Sequence, residues 1–149
     1  MKASLKVIIT VIILVIGLGD CAGNVLAEPR TYGNAVVERI TSVYDGDTFH
    51  CDIAGWPPII GQRIGVRING IDTPEMRDRR PKIRELARQA KMFTVQALRS
   101  AKRIELRDMK RGKYFRIVAD VFVDGRSLAD MLIETGLAKP YGGGKKPGW

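Results

Sequence analysis

Four carboxylates and two arginines are spaced along the chain as a cation site beside a phosphate would need. Asp45 and Asp47 flank Gly46 in "DGDT", while Asp72 and Glu75 flank the threonine and proline of "DTPE". If the strands before and after these motifs pair antiparallel, Asp47 and Asp72 meet at one end of a sheet. Two carboxylates with one or two backbone carbonyls suit a hard cation such as Ca²⁺, water completing its shell. Arg67 falls on the opposite parity to Ile64, Val66 and Ile68, and Arg116 follows "GKYF" at the start of a later β-rich stretch. A guanidinium grips two phosphate oxygens at once, and two of them can hold the charge a phosphodiester gains when a nucleophile adds. Glu75 can orient the attacking water or take its proton.

Each feature has a plainer reading. Asp45-Gly46 is a turn signal, Thr73-Pro74 suits a helix or turn start, and Glu75 suits the positive end of a helix. Arg67 and Arg116 also fit a solvated strand face. Only Asp47 is surplus to the plain turn. Read singly, the residues leave both readings open.

The elements that must position these groups are legible as alternations. "AVVERITSVY" is rich in β-branched residues and reads as a strand ending at Asp45-Gly46. "DTFHCDI" alternates Phe49, Cys51 and Ile53 with Thr48, His50 and Asp52, giving one apolar face, with Cys51 a core thiol and His50 on the polar side. "AGWPPIIGQ" is a long hairpin loop anchored by Trp56, and "RIGVRINGI" is the third strand. "PKIRELARQAKMFTVQALRSA" places Ile83, Leu86, Ala87, Ala90, Phe93, Ala97 and Ala101 at steps of three and four, an amphipathic helix. "RIELRDM" and "FRIVADVFV" are two further strands, and Ser127 with Asp130 caps a short helix that Gly136 ends. Three strands, a helix, two strands and a helix make an α+β, mainly β domain. Strands this short escape exposed edges by closing, so the expected fold is a five-stranded oligonucleotide-binding (OB-fold) type barrel carrying two helices.

Composition sets the context. Lys2 and Lys6 precede an apolar run, Val7 to Gly19, that leads to Val25-Leu26-Ala27, the layout of a signal peptide cut after Ala27. The run is short for a membrane span. An uncleaved N-terminal membrane anchor or a lipoprotein at Cys21 is the alternative, though Asp20 is a poor residue before a lipidated cysteine. The expected organisation is residues 1–27 as signal peptide, 28–34 as a short lead, 35–141 as one domain and 142–149 as a flexible basic tail. Export leads to the periplasm or the medium, with no stable membrane association after cleavage, and a monomer is expected. The chain carries 25 Lys and Arg against 16 Asp and Glu, a net charge of +9, which favours polyanionic partners. "RDRRPKIR" and "RDMKRGKYFR" concentrate that charge, the second with two aromatics, as single-stranded nucleic acid binding would use. Only Cys51 survives cleavage, which excludes an internal disulfide.

Taken together, "VYDGDTF", "RIGVRINGIDTPE", "AKMFTVQALRSAKRIEL", "GKYFR" and "DGRSLADMLIETGLAKPY" resemble the staphylococcal thermonuclease (micrococcal nuclease-like) family in order and spacing, from about Val36 to Tyr141. The resemblance implies an OB-fold barrel that cleaves DNA and RNA with Ca²⁺ and little sequence preference, single-stranded or locally unpaired substrate being favoured. It implies Asp47 and Asp72 as metal ligands, with Thr73 giving a backbone carbonyl. Glu75 then serves the water, and Arg67 and Arg116 the phosphate and transition state. Lys113 and Tyr114 contact the nucleotide. Water attack with loss of the 5′ oxygen would leave 3′-phosphate ends.

The sequence departs from the family in places. Phe115 stands where glycine is usual, Pro140 disturbs the match near Tyr141, and the long C-terminal helix of the best-known member is missing. "AGWPPIIGQ" is expected to enlarge a loop facing the site. The rival readings are a catalytically silent OB-fold that only binds nucleic acid and a basic envelope-associated structural protein. The presence of Asp47, Arg67, Asp72, Glu75 and Arg116 argues against silence, and neither the leader nor the charge explains the five motifs.

Overall fold

The computed structural model describes residues 30–149, so the proposed signal peptide lies outside the described residues. The long strands are β1 (Ala35–Val43), β2 (Thr48–Ile53), β3 (Ile64–Ile68), β5 (Ile104–Arg111) and β6 (Arg116–Val123), with short β4 (Ile71–Asp72), β7 (Arg126–Ser127) and β8 (Lys139–Pro140). The helices are α1 (Pro58–Gly61), α2 (Pro81–Ser100) and α3 (Leu128–Glu134). The long strands run β3-β2-β1-β5-β6, and a parallel pairing of β3 with β6 closes the ring. The expected five-stranded barrel is what forms. Register shifts in β1–β2 and in β5–β6 supply the bends that closure needs.

Inward residues fill the barrel. Phe49, Cys51, Val66, Ile68, Leu106, Ala119 and Val121 are all buried, and they come from the apolar parity of each strand. Helix α2 contributes Ala87, Ala90, Thr94 and Leu98 at steps of three and four, so one stripe faces the barrel. Pro81 occupies the first helical turn, where a missing N–H costs nothing. Ser127 caps α3 by accepting from the Asp130 N–H at 3.2 Å, and Gly136 follows with φ of 71°.

Two regions differ from the sequence expectation. "AGWPPIIGQ" holds the one-turn helix α1, because Pro58 can start a helix though it cannot continue one. This loop follows the far end of β2, where Trp56 meets Ala35, Val36 and Arg103, so it faces away from the site instead of enlarging it. The short lead is also tied down, since Tyr32 N–H donates to Met109 and Met109 N–H to Gly33.

Candidate functional site

Strand register builds one polar face. Gly65 on β3 lies beside Arg116 on β6, and Arg67 lies beside Val118. On the other side Thr48 pairs with Arg67 and His50 with Gly65, while Ser42 on β1 pairs with His50. Partners share a face, so Arg67, Arg116, Thr48, His50 and Ser42 all project away from the core. Gly65 is required here by space: a Cβ would sit 2.9 Å from the Arg116 Cγ. A cleft of about 930 Å³ lies over this face, walled by Asp45, Thr73-Pro74-Glu75, Lys113 and Tyr141.

The turn before β2 carries Asp47 to the cleft floor. Gly46 is wedged so closely that a Cβ would come within 2.8 Å of Ala90 and 2.9 Å of Thr73. Thr94, fully buried on α2, donates its hydroxyl to the Gly46 carbonyl at 2.7 Å. The Asp47 backbone is fixed as well, its carbonyl accepting from Ile68 N–H at 2.8 Å. The turn is thus clamped between helix and barrel, a role for Thr94 that the sequence reading missed.

Asp47 and Asp72 are both buried, and one guanidinium joins them. Arg67 Nη1 donates to Asp47 Oδ1 at 2.6 Å, while its Nη2 reaches the Ile71 carbonyl at 3.2 Å and Asp72 Oδ1 at 3.4 Å. Asp47 Oδ1 also accepts from Thr48 Oγ1 at 2.9 Å, and Oδ2 accepts from Thr73 N–H at 3.2 Å. Burial, with Asp45 adding repulsion, nevertheless pushes the Asp47 carboxyl up to about 6 against the pull of Arg67 and Thr48. Asp72 is set by β4, which pairs with β8 through Ile71 to Pro140 and Asp72 to Lys139. The Pro140 that disturbs the sequence pattern therefore lies on a two-residue edge ladder, where proline is tolerated.

Glu75 is exposed on the cleft wall, beyond Pro74. Arg116 enters from the opposite wall, its Nε held by the Lys113 carbonyl at 3.4 Å. Lys113 lines the cleft, whereas the Tyr114 ring is 87% exposed on the β5–β6 turn with the Arg116 guanidinium 5.6 Å from its centre. Asp47, Arg67, Thr73, Glu75, Lys113 and Arg116 thus line one cleft, Asp72 is tied to it through Arg67, and Tyr114 lies outside its lining. Lys91, Arg77, Arg111 and His50 line it too, and His50 Nδ1 lies 3.2 Å from Ser42 Oγ.

The expectation of a mobile tail meets a different arrangement. Lys146 Nζ lies 2.6 Å from Glu75 Oε1 and 3.2 Å from Asp72 Oδ1, and Trp149 Nε1 donates to Asp72 Oδ2 at 3.3 Å. Lack of periodicity showed only that the tail forms no helix or strand.

A cation site is chemically reasonable here. The donors are all oxygen, two carboxylates converge on one guanidinium, and two positively charged side chains already lie among them. No group of three His, Cys, Asp or Glu close enough to hold a metal occurs among the described residues. Asp47 and Asp72 with the Thr73 carbonyl would therefore leave much of a hard cation's shell to water, which suits a weak site.

Residues 65–146 match the sequence model of a family described as staphylococcal nuclease homologue. The match takes in Arg67, Asp72, Thr73, Glu75, Lys113, Tyr114, Arg116 and Lys146, whereas Asp47 lies outside it, on the clamped turn before β2. It covers more than half of the chain and takes in β5, β6 and nearly all of β3, so the chain belongs to the staphylococcal nuclease homologue family.

Proposed function

We propose that the protein is an exported, calcium-dependent endonuclease that hydrolyses phosphodiester bonds of DNA and RNA with little sequence preference and leaves 3′-phosphate ends. The observation that carries this reading is the cleft itself: Arg67 and Arg116 on one strand face, opposite Glu75, with Asp47 and Asp72 joined beneath. Export rests on the leader sequence alone.

Arg67 holds Asp47, Asp72 and the Ile71 carbonyl through its two terminal nitrogens, which leaves Nε–H and one terminal N–H for a phosphate oxygen. Arg116 makes no ion pair within 4 Å among the described residues, so its fork can turn to the same phosphate without breaking one. Glu75, on the far wall, orients a water and accepts its proton as the oxygen adds to phosphorus. The bond to the 5′ oxygen breaks, that leaving oxygen takes a proton from solvent to become the 5′ hydroxyl, and phosphate stays on the 3′ side. Charge gathering on the phosphoryl oxygens is met by both guanidiniums. A calcium ion held by Asp47, Asp72 and the Thr73 carbonyl would polarise a phosphoryl oxygen.

Substrate reaches the cleft over a basic and aromatic rim. Tyr44, Tyr114 and Phe115 are exposed, and Lys91, Arg77, Arg111 and Lys113 line the approach. Unstacked bases have faces for such rings and paired bases do not, which supports a preference for single-stranded or locally unpaired substrate.

The test incubates the protein with plasmid and single-stranded DNA in Ca²⁺ or in chelator, beside Glu75→Gln and Arg116→Ala. Wild type is expected to cut only with Ca²⁺, while both variants bind DNA and cut far more slowly. Wild type that binds DNA but cuts no faster than the variants in saturating Ca²⁺ would establish the silent binding module instead.

A further inference from the structure

The segment after β8 is led directly onto the acidic half of the cleft. Pairing of β8 with β4 places Lys139 beside Asp72, and Tyr141 N–H continues the contact by donating to the Gly70 carbonyl at 2.8 Å. Gly143 and Gly144 then take φ of 101° and 85°, values that favour glycine, and turn the chain back. The Tyr141 hydroxyl closes that turn on the Gly144 carbonyl at 2.8 Å. Beyond it the Trp149 ring stacks 4.6 Å from Lys139 Nζ, which also donates to the Gly148 carbonyl at 2.5 Å.

The result is an internal neutralisation of the site. Arg67 spans Asp47 and Asp72, and Lys146 spans Asp72 and Glu75. Both oxygens of Asp72 are occupied, Oδ1 by the two cations and Oδ2 by the Trp149 indole. A divalent ion cannot use this carboxylate fully while an ammonium shares it, and Glu75 cannot serve a water while it is paired.

The two cations are not equally committed. Arg67 belongs to the barrel and is mostly buried, whereas the Lys146 side chain is 51% exposed. Its partner Glu75 is exposed as well, and exposed ion pairs are individually weak. Lys146 is therefore the partner that leaves.

We propose that residues 142–149 form a displaceable strap in which Lys146 acts as a built-in counter-ion, which a hard divalent cation must expel from Asp72 and Glu75 to load the site. This rests on the calcium reading above. The strap keeps the carboxylates paired when calcium is scarce and frees Glu75 only as the ion enters.

Calcium binding to the purified protein, measured by titration calorimetry, tests this together with Trp149 emission read in a Trp56→Phe background. Lys146→Ala is expected to bind Ca²⁺ roughly threefold to tenfold more tightly than wild type. Calcium should shift Trp149 emission in wild type, and Lys146→Ala should show much of that shift before metal is added. Equal calcium affinity in the two proteins, or an emission unmoved by metal, overturns the strap while leaving the calcium reading intact. Absence of calcium binding in both proteins sinks the metal reading and the strap's role with it. Lys146 is exposed, so its replacement leaves the barrel folded and the comparison valid.

Discussion

The Arg67 guanidinium donates to Asp47 at 2.6 Å across a sharp gradient of burial: the carboxylate side chain is 3% exposed and the arginine 22%. Removing the arginine strands a buried charge, and breaking a buried pair costs about 3–5 kcal/mol. Because Arg67 reaches the solvent of the cleft, Arg67→Ala is expected to cost about 2–3 kcal/mol in urea unfolding. Arg67→Lys should regain part of the stability and little of the cleavage rate, since an ammonium cannot span two carboxylates and a phosphate as a planar fork does.

Thr94 tests whether the turn is clamped from the helix side. Thr94→Val keeps the shape of the side chain but leaves the buried Gly46 carbonyl without its 2.7 Å donor. A loss of about 1–2 kcal/mol is expected by denaturant unfolding. Gly46→Ala pushes a methyl group into Ala90 and Thr73 and should cost about 1–3 kcal/mol. Both should weaken cation binding through Asp47, although neither residue touches a metal, and calorimetry with Ca²⁺ reads that effect.

Phe115 and Tyr114 both sit at φ of 58°, a region costly for bulky side chains. Such strain persists where something else is gained. Phe115→Gly is expected to raise stability by about 1 kcal/mol, read from the thermal midpoint. The same change should weaken binding of a single-stranded oligonucleotide by several-fold and leave duplex binding nearly unchanged. Unchanged affinity for both would remove Phe115 from the substrate path.

Cys51 is fully buried in the barrel, and burial pushes its thiol up to about 12 from an ordinary 9.0. The folded state therefore resists a deprotonation that the unfolded chain undergoes. Below pH 9 nothing is lost. Above it, the unfolded state gains from ionisation, and stability should fall by about 1.4 kcal/mol per pH unit until the folded thiol titrates. Cys51→Ala should be less stable at pH 7 but should lack this component of the alkaline slope. Native protein at pH 8 should also leave a thiol reagent unreacted until it unfolds.

The barrel was readable because its strands obey a two-residue alternation, and the apolar parity of "DTFHCDI" and "RIGVRI" is the parity the core buries. Arg67 was readable as outward-facing for the same reason. What alternation cannot express is a contact made across the fold. Thr94 was not among the stripe residues read from the sequence, and its tie to Gly46 exists only because α2 lies over that turn. Gly46 looked like a turn residue, whereas it is needed for room between Ala90 and Thr73. Lys146 looked like a tail residue because nothing local marks it, and its place beside Asp72 follows from the β4–β8 pairing.

The parallel seam between β3 and β6 has a consequence for the order of events in the life of the chain. Arg67 and Arg116 stand on strands separated by nearly half the domain, and that seam alone sets them side by side. Local hairpins form early and cheaply, while such distant pairing waits until the entropy of the intervening chain has been overcome. A polypeptide still threading has its arginines far apart and no cleft. The proposed cutting activity would therefore be withheld until the ring shuts.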